Sequence, residues 1–185
     1  MLGISRPTIR SDLSLLVMLG LIDAKPKVGY FIGQKMNTED RFASKLREMK
    51  VKEVQGVPVV VTDTATVNDA VIALFLENVG SLVITDQEGS LKGIVSRKDL
   101  LKVTLGNASA PSMPISLVMT REPNIISVTP EDSVLEAARK LVHHQIDALP
   151  VVRKKKLPNG SEINEIVGRI TKTTMTALLL DIMHE

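Results

Sequence analysis

The chain repeats itself. Thr66-Val67-Asn68-Asp69-Ala70 returns 67 residues later as Ser133-Val134-Leu135-Glu136-Ala137. Val79-Gly80-Ser81-Leu82-Val83-Ile84 returns at the same spacing as Ile146-Asp147-Ala148-Leu149-Pro150-Val151. Gly93 and the residues after it return 75 positions on, from Gly168, so the second copy carries eight extra residues. They fall between Arg153 and Glu165, around the turn signal Asn159-Gly160, where a hairpin tolerates insertion. This repeat constrains the fold more than any other property. Each copy is too small to bury both faces of its own sheet, so the two must pack on each other.

Each copy predicts the order β-α-β-β-α. A short apolar strand comes first (residues 57–61 and 125–128). A helix follows, opened by Thr66-x-x-Asp69 or Ser133-x-x-Glu136, both capping-box patterns. Its apolar face is Val67, Val71, Leu74 and Phe75 in one copy, and Val134, Ala138, Leu141 and Val142 in the other. Two strands (81–85 and 91–95; 149–152 and 165–170) and a last helix complete the unit. Residues 106–114, rich in Gly, Ser, Ala and Pro, link the copies. The class is α/β, with one unit over residues 51–110 and the second over 111–185.

Upstream lies different material. Residues 5–19 predict a helix with Pro7 in its first turn, an apolar face of Ile9, Leu13, Leu16 and Val17, and a stop at Gly20. Residues 21–24 and 29–32 predict a small hairpin with Lys25, Pro26 and Lys27 at its tip. Residues 1–35 hold Arg6, Arg10, Lys25, Lys27 and Lys35 against Asp12 and Asp23 only, a basic balance that suits a polyanionic partner. An amphipathic helix over residues 38–50, with Phe42, Leu46 and Met49 on one face, connects this part (36–50) to the repeats.

Composition narrows the function classes. The chain has 185 residues, of which 44% are hydrophobic, enough for a true core. It has no Cys, so disulfides and thiolate metal sites are excluded, and a reducing cytoplasm is the natural location. No apolar run is long enough to span a bilayer, and the first 20 residues carry Arg6, Arg10 and Asp12, unlike a signal peptide. His143-His144 have no third ligand nearby in sequence, so no metal site is expected. Arg153 to Lys156 read as a solvated hairpin tip, and Met49, Met113, Met119, Met175 and Met183 as core or interface filler. Nucleophile elbow, Walker loop and dinucleotide fingerprint are all missing from the sequence, so no catalytic role or cofactor is expected.

The repeated unit resembles the CBS motif, over roughly Lys50 to Asp181. The resemblance rests on the capped helix with Ala70 or Ala137, the run Ile146-Asp147-Ala148-Leu149-Pro150-Val151, and the Gly-x-Ile/Val-Ser/Thr turn. Two such motifs in tandem form a Bateman module, which typically binds adenine nucleotides. The resemblance implies that the hydroxyl and acid after the turn contact phosphate and ribose: Ser96 and Asp99 in the first copy. In the second, Thr171 matches the hydroxyl, but Thr174 stands where the acid is expected, so two unequal sites are expected. Physical chemistry agrees with this placement. A helix N-terminus presents N–H groups and a positive dipole end to phosphate. A carboxylate can take both ribose hydroxyls, Val59 or Ile126 can sandwich a base, and Arg97, Lys98 and Lys172 add charge. Yet Ser96-x-x-Asp99 is itself a capping box and needs no ligand to explain it. The expected ligand is AMP, ADP or ATP, acting as a regulatory signal.

The N-terminal helix and hairpin resemble the second half of a winged helix-turn-helix. That resemblance implies base contacts from Ser5, Arg6, Thr8 and Arg10, and phosphate contacts from Lys25, Lys27 and Tyr30. The two helices that should precede the recognition helix are absent from the sequence, which starts at Met1 just before it, so a truncated or internally started chain that binds DNA poorly is expected. Winged helix, linker helix and two CBS motifs together resemble the CcpN-type repressors, carried by Val28-Gly29-Tyr30-Phe31, Val95-Ser96-Arg97-Lys98-Asp99 and Gln145-Ile146-Asp147-Ala148-Leu149-Pro150-Val151. This implies a bacterial repressor of gluconeogenic genes, tuned by adenine nucleotides, binding operator DNA as a homodimer. Leu178, Leu179 and Ile182 are the apolar residues expected at the dimer contact. Two alternatives stand beside it. One is a nucleotide-sensing CBS module that controls a partner enzyme and never binds DNA; residues 1–33 would have no use there. The other, an enzyme acting on nucleotides, has no base or nucleophile placed near Asp99.

Overall fold

A computed structural model describes residues 6–33 and 43–183, with side chains from residue 9. The chain divides into two units, Met1–Glu48 and Met49–Glu185.

In the first unit, α1 (Arg6–Met18) ends where Gly20 turns to φ 71. A hairpin follows: β1 (Ile22–Lys25) pairs antiparallel with β2 (Gly29–Ile32), in register from Ile22 against Ile32 to Lys25 against Gly29. Lys27 (φ 65) and Gly29 (φ 130) make the turn. The Gly33 amide donates to the Leu21 carbonyl at 2.8 Å, and a Cβ there would collide with the Gly20 carbonyl. Leu13, Leu16 and Val17 are half-buried, while Ile9 is exposed. Of the connecting helix, α2, residues 43–48 are described; Phe42 lies outside the described residues, and Met49 and Lys50 are not helical.

The second unit holds both repeats. The first runs through α3 (Val51–Val54), β3 (Val60–Thr62), α4 (Val67–Leu76), β4 (Ser81–Thr85), β5 (Leu91–Ser96) and α5 (Arg97–Gly106). Two 3₁₀ turns follow, Ala110–Ser112 and Ile115–Leu117. The second repeat runs through β6 (Thr120–Arg121), α6 (Val134–His143), β7 (Ala148–Lys156), β8 (Glu162–Thr171) and α7 (Lys172–Met183). In the first sheet the order is β3-β4-β5-β6, with β3 parallel to β4 and the other pairs antiparallel. Val61 stands opposite Ile84; in the second copy Val128 bridges Val151 in the same parallel sense and equivalent register. The repeat seen in sequence is thus a repeat in hydrogen bonding.

The two copies exchange their leading segments. Val67 N donates to Met113 O, and Ile115 N to Ala65 O, so the start of the second repeat closes the first. Reciprocally, Val51 N donates to Asp132 O and Val134 N to Met49 O. Gly56 and Arg169 exchange two backbone bonds of 2.9 Å. Burial follows the exchange. Ile115, fully buried, belongs to the core formed by Val67, Ala70, Leu74, Leu82, Ile84 and Val95. Val51, also fully buried, belongs to the core of Val128, Ala137, Leu141, Leu149, Val151 and Ile170. The boundary at residue 110 separates the repeats as sequence, while each packed core contains residues from both sides of it.

Several local expectations change. Val57 is exposed and precedes the first strand, which spans Val60–Thr62; residues 125–128 form only the Val128 bridge. Phe75 is 82% exposed and Val142 75%, so the buried helix faces run instead through Ala70 and Ala137, small residues that let α4 and α6 approach their sheets. Leu178 is buried within its own chain, leaving Leu179 on the surface. Thr66 and Asp69 form a reciprocal capping box, with Asp69 Oδ2 accepting from Thr66 N at 2.9 Å. Ser133 accepts from Glu136 N at 3.1 Å, and this bond alone caps α6 from that pair.

Both α4 and α6 end alike. Asn78 (φ 48) and Gln145 (φ 53) take the left-handed conformation just past the helix. The next amides reach back, Val79 N to Leu74 O and Ile146 N to Leu141 O, each at 3.1 Å, the pattern that satisfies the last carbonyls.

Candidate functional site

The strand-to-helix turns of the two copies face one cavity of about 690 Å³. Ser96, Arg97 and Lys98 enter it from the start of α5, and Thr171, Lys172 and Thr174 from the start of α7. Asn78 to Ser81 and Asp147 to Ala148, the equivalent turns before β4 and β7, line it too, as do Gly56 and Arg169. What sequence reading separated as two sites is therefore brought to a common cleft. The lining does not include Asp99, Val59 or Ile126. Val59 packs, half-buried, on the first core and Ile126 on the second.

Ser96 and Asp99 close a complete capping box. Asp99 Oδ2 accepts from Ser96 N at 2.9 Å and from Ser96 Oγ at 2.6 Å, while Asp99 N donates to Ser96 Oγ at 3.3 Å. Thr174 reproduces this geometry without charge. Its Oγ1 accepts from Thr171 N at 3.2 Å, lies 2.9 Å from Thr171 Oγ1, and Thr174 N donates to Thr171 Oγ1 at 3.0 Å. The hydroxyl in place of the acid keeps the cap and removes the anion.

The helix starts are also tied to the preceding turns. Arg97 N donates to Gly80 O, and Lys172 N to Asp147 O, both at 3.1 Å. Two amides expected to face phosphate in each copy, at the first and third helical positions, are thus engaged by the protein itself. Attraction for an anion comes instead from side chains. Arg97, Lys98, Arg169 and Lys172 line the cleft against one carboxylate, Asp147. Lys172 Nζ donates to Asp147 Oδ1 at 2.7 Å, and this bond holds the Asp147 carboxyl below the usual aspartate range, against the opposing effect of burial. The cations outnumber the acid, a composition that suits a phosphorylated ligand. Arg169 was missed in sequence because its match in the first copy is Ile94, so the repeat alignment gave no signal for it.

In the N-terminal unit, Arg6, Thr8 and Arg10 lie on the first two turns of α1, with Arg10 exposed. Ser5 lies outside the described residues. Lys25 ends β1, Lys27 sits in the turn and Tyr30 on β2, all exposed, and Lys25 Nζ stands 5.6 Å from the Phe31 ring centre. The hairpin thus presents both lysines and the tyrosine to solvent. Elsewhere the rings of His143 and His144 meet edge to face at 4.8 Å; among the described residues no group of three or more His, Cys, Asp or Glu is placed to hold a metal. Among them too, no helix is long and apolar enough to cross a membrane.

The CBS domain family matches residues 49–106 and 115–181, the two repeats. The transcriptional repressor CcpN of Bacillus subtilis is 42% identical over 98% of this chain and 82% of its own length. The chain belongs to the CBS-domain family and, within it, to the CcpN-type repressors. Among solved structures, the CBS domain pair of protein MJ0100, in complex with 5′-methylthioadenosine and S-adenosylmethionine, superposes with a TM-score of 0.60 at 25% identity, over 72% of this chain and 97% of that one. CBSX2 in complex with AMP superposes with a TM-score of 0.58 at 25% identity, over 72% and 98%. These structures are CBS modules carrying adenine-containing ligands.

Proposed function

We propose that this chain is a cytoplasmic transcriptional repressor, acting without catalysis, whose hold on operator DNA is set by an adenine nucleotide in the cleft between its CBS repeats. One observation carries the reading: the likeness to CcpN covers 98% of the chain, and so must take in the basic N-terminal unit as well as the repeats. Arg6, Thr8 and Arg10 on α1 are the proposed base-reading residues, with Ser5 beside them, and Lys25, Lys27 and Tyr30 the proposed phosphate contacts. Ser96, Arg97, Lys98, Asp99, Thr171, Lys172 and Thr174 are the proposed nucleotide residues, with Val59 and Ile126 toward the base. The proposed targets are gluconeogenic and central-carbon genes. The repressor acts as a dimer. Phe75, Leu76, Leu105, Val142 and Met183 are all exposed apolar residues on the helices of the repeat unit, available to a second copy.

Mobility-shift titration of the full-length gene product on its own upstream region and on gluconeogenic promoters, with and without AMP, ADP and ATP, tests this directly. Retarded complexes whose midpoint moves with nucleotide are expected. Replacing Lys25 and Lys27 by alanine should flatten the dependence of affinity on salt by nearly two units of slope. Nucleotide binding by calorimetry with no DNA binding at low salt would overturn the repressor reading in favour of a module that controls a partner enzyme. A monomer in sedimentation at high micromolar concentration would remove the dimer.

A further inference from the structure

The two halves of the cleft share a frame, and one pair of equivalent positions, Gly80 and Asp147, sets their charge apart. Arg97 and Lys172 are equivalent, each the first residue of its helix, and their amides donate to equivalent carbonyls, Gly80 and Asp147. In the first copy the carbonyl residue has no side chain. The Arg97 guanidinium lies over Gly80, 3.3 Å from where a Cβ would stand. In the second copy the same position carries a carboxylate, and Lys172 Nζ is bonded to it at 2.7 Å. The Asp147 side chain is 74% exposed and that of Lys172 51%, so the pair stands in the open cleft where a solute reaches both. An exposed pair of this kind contributes little to folding stability. Its effect falls on whatever enters the cleft.

We infer that Asp147 is a resident counter-anion of the cleft: it occupies Lys172 and must be displaced by the anionic part of the ligand. The inference rests on reading the cleft as an adenine nucleotide site. With Asp147 in place the four cations Arg97, Lys98, Arg169 and Lys172 face one internal negative charge. That charge repels each added phosphate, so it penalises a triphosphate more than a monophosphate. Asp147 is therefore a specificity-determining residue, holding the site toward ligands of lower phosphate charge. The first copy, with Gly80, has no such restraint, which makes the halves unequal for a second reason beside the Asp99 and Thr174 difference. Lys98 and Arg97 also act on the Asp147 carboxylate at longer range, as expected for one shared field.

Calorimetry with AMP, ADP and ATP on the whole chain, comparing the natural protein with Asp147→Asn, Lys172→Met and the double variant, tests this. Asparagine keeps the size and the acceptor and removes only the charge. Asp147→Asn should tighten AMP by about threefold and ATP by roughly tenfold, with ADP between. The gain should shrink in half-molar salt. In the Lys172→Met background the share of the gain that comes from freeing Lys172 should be lost, while the share that grows with phosphate number should remain. Melting temperatures should match, since both groups are exposed. Unchanged or weakened affinity in Asp147→Asn, or an equal gain for all three nucleotides, overturns the inference while the natural protein still binds. Failure of the natural protein to bind any of the three removes the nucleotide reading itself, and the inference with it.

Discussion

Replacing Ile115 by alanine tests whether the two repeats are one cooperative body. Ile115 is fully buried, and it packs in the core of the first repeat although it opens the second. The change removes three carbon groups, worth about 2.4 kcal/mol at ~0.8 kcal/mol each. The cavity left behind raises the loss toward about 4 kcal/mol, within the range seen when a large aliphatic residue is truncated. A loss of this size lowers the melting temperature by on the order of 10 °C for a domain of this length. The assay is urea unfolding followed by circular dichroism, with amide exchange read in the first repeat at Val83, whose amide donates to Val59 O, and at Val151 and Ile170 in the second core. Because Val51 and Ile115 cross between cores, one transition is expected, with protection falling in both repeats together. Two separated transitions, or protection at Val151 and Ile170 that survives while Val83 loses its own, would refute the reasoning and show the repeats to be independent.

Three further outcomes are expected, the first from the proposed nucleotide site and the others from local geometry. Asp99→Ala should weaken nucleotide binding by tenfold or more and lower stability by ~1 kcal/mol through the lost cap, while Thr174→Ala should affect binding far less; calorimetry alongside thermal melts separates the two, and lost stability with intact affinity would leave Ser96 and Asp99 as a helix cap alone. Gln145→Gly should stabilise by roughly 1 kcal/mol, since glycine takes the left-handed conformation without strain, as measured by urea midpoint. Glu165 accepts from Lys155 at 2.5 Å and from Arg153 at 2.8 Å, and these bonds hold its carboxyl below the usual glutamate range. A depressed folded value means its contribution is present above about pH 4 and is lost as the pH falls through that lowered value. Amide exchange in the β7-β8 hairpin between pH 7 and 3 should show that loss, and Glu165→Gln should lack it.

What could be read from the sequence was whatever is local or repeated. The Thr66 and Ser96 caps, the Gly20 stop and the Lys25 to Gly29 turn each depend on a few neighbouring residues, and each formed as read. The apolar faces were read less well. Helical spacing identifies a stripe but not its width: Phe75 and Val142 fall on the predicted stripe yet are exposed, while Ala70 and Ala137 are buried beside Leu74 and Leu141. The leader exchange had no local signature at all, because Met113 meets Val67 and Met49 meets Val134 through backbone bonds that any sequence can make. In the cleft, Ser96, Arg97, Lys98, Thr171, Lys172 and Thr174 were legible from the repeated turn. Asp147 and Gly80 were also aligned by the repeat, but their meaning depends on where the Lys172 and Arg97 side chains fold, which spacing does not tell.

The exchange of leading segments also sets a timetable for synthesis. The Gln55 side chain donates to the Val167 carbonyl across 112 residues, and Gly56 pairs with Arg169. A nascent chain that has released its first repeat still lacks Ile115, and the segment around Val51 has no place to dock until β8 has left the ribosome. Closing so long a loop is slow, and the apolar surface meant for Ile115 waits in the open meanwhile. The first repeat is therefore the part of this protein most in need of protection while it is being made: a stop codon before Ile115 leaves its core unfinished, and one before β8 leaves Gly56 without its Arg169 partner.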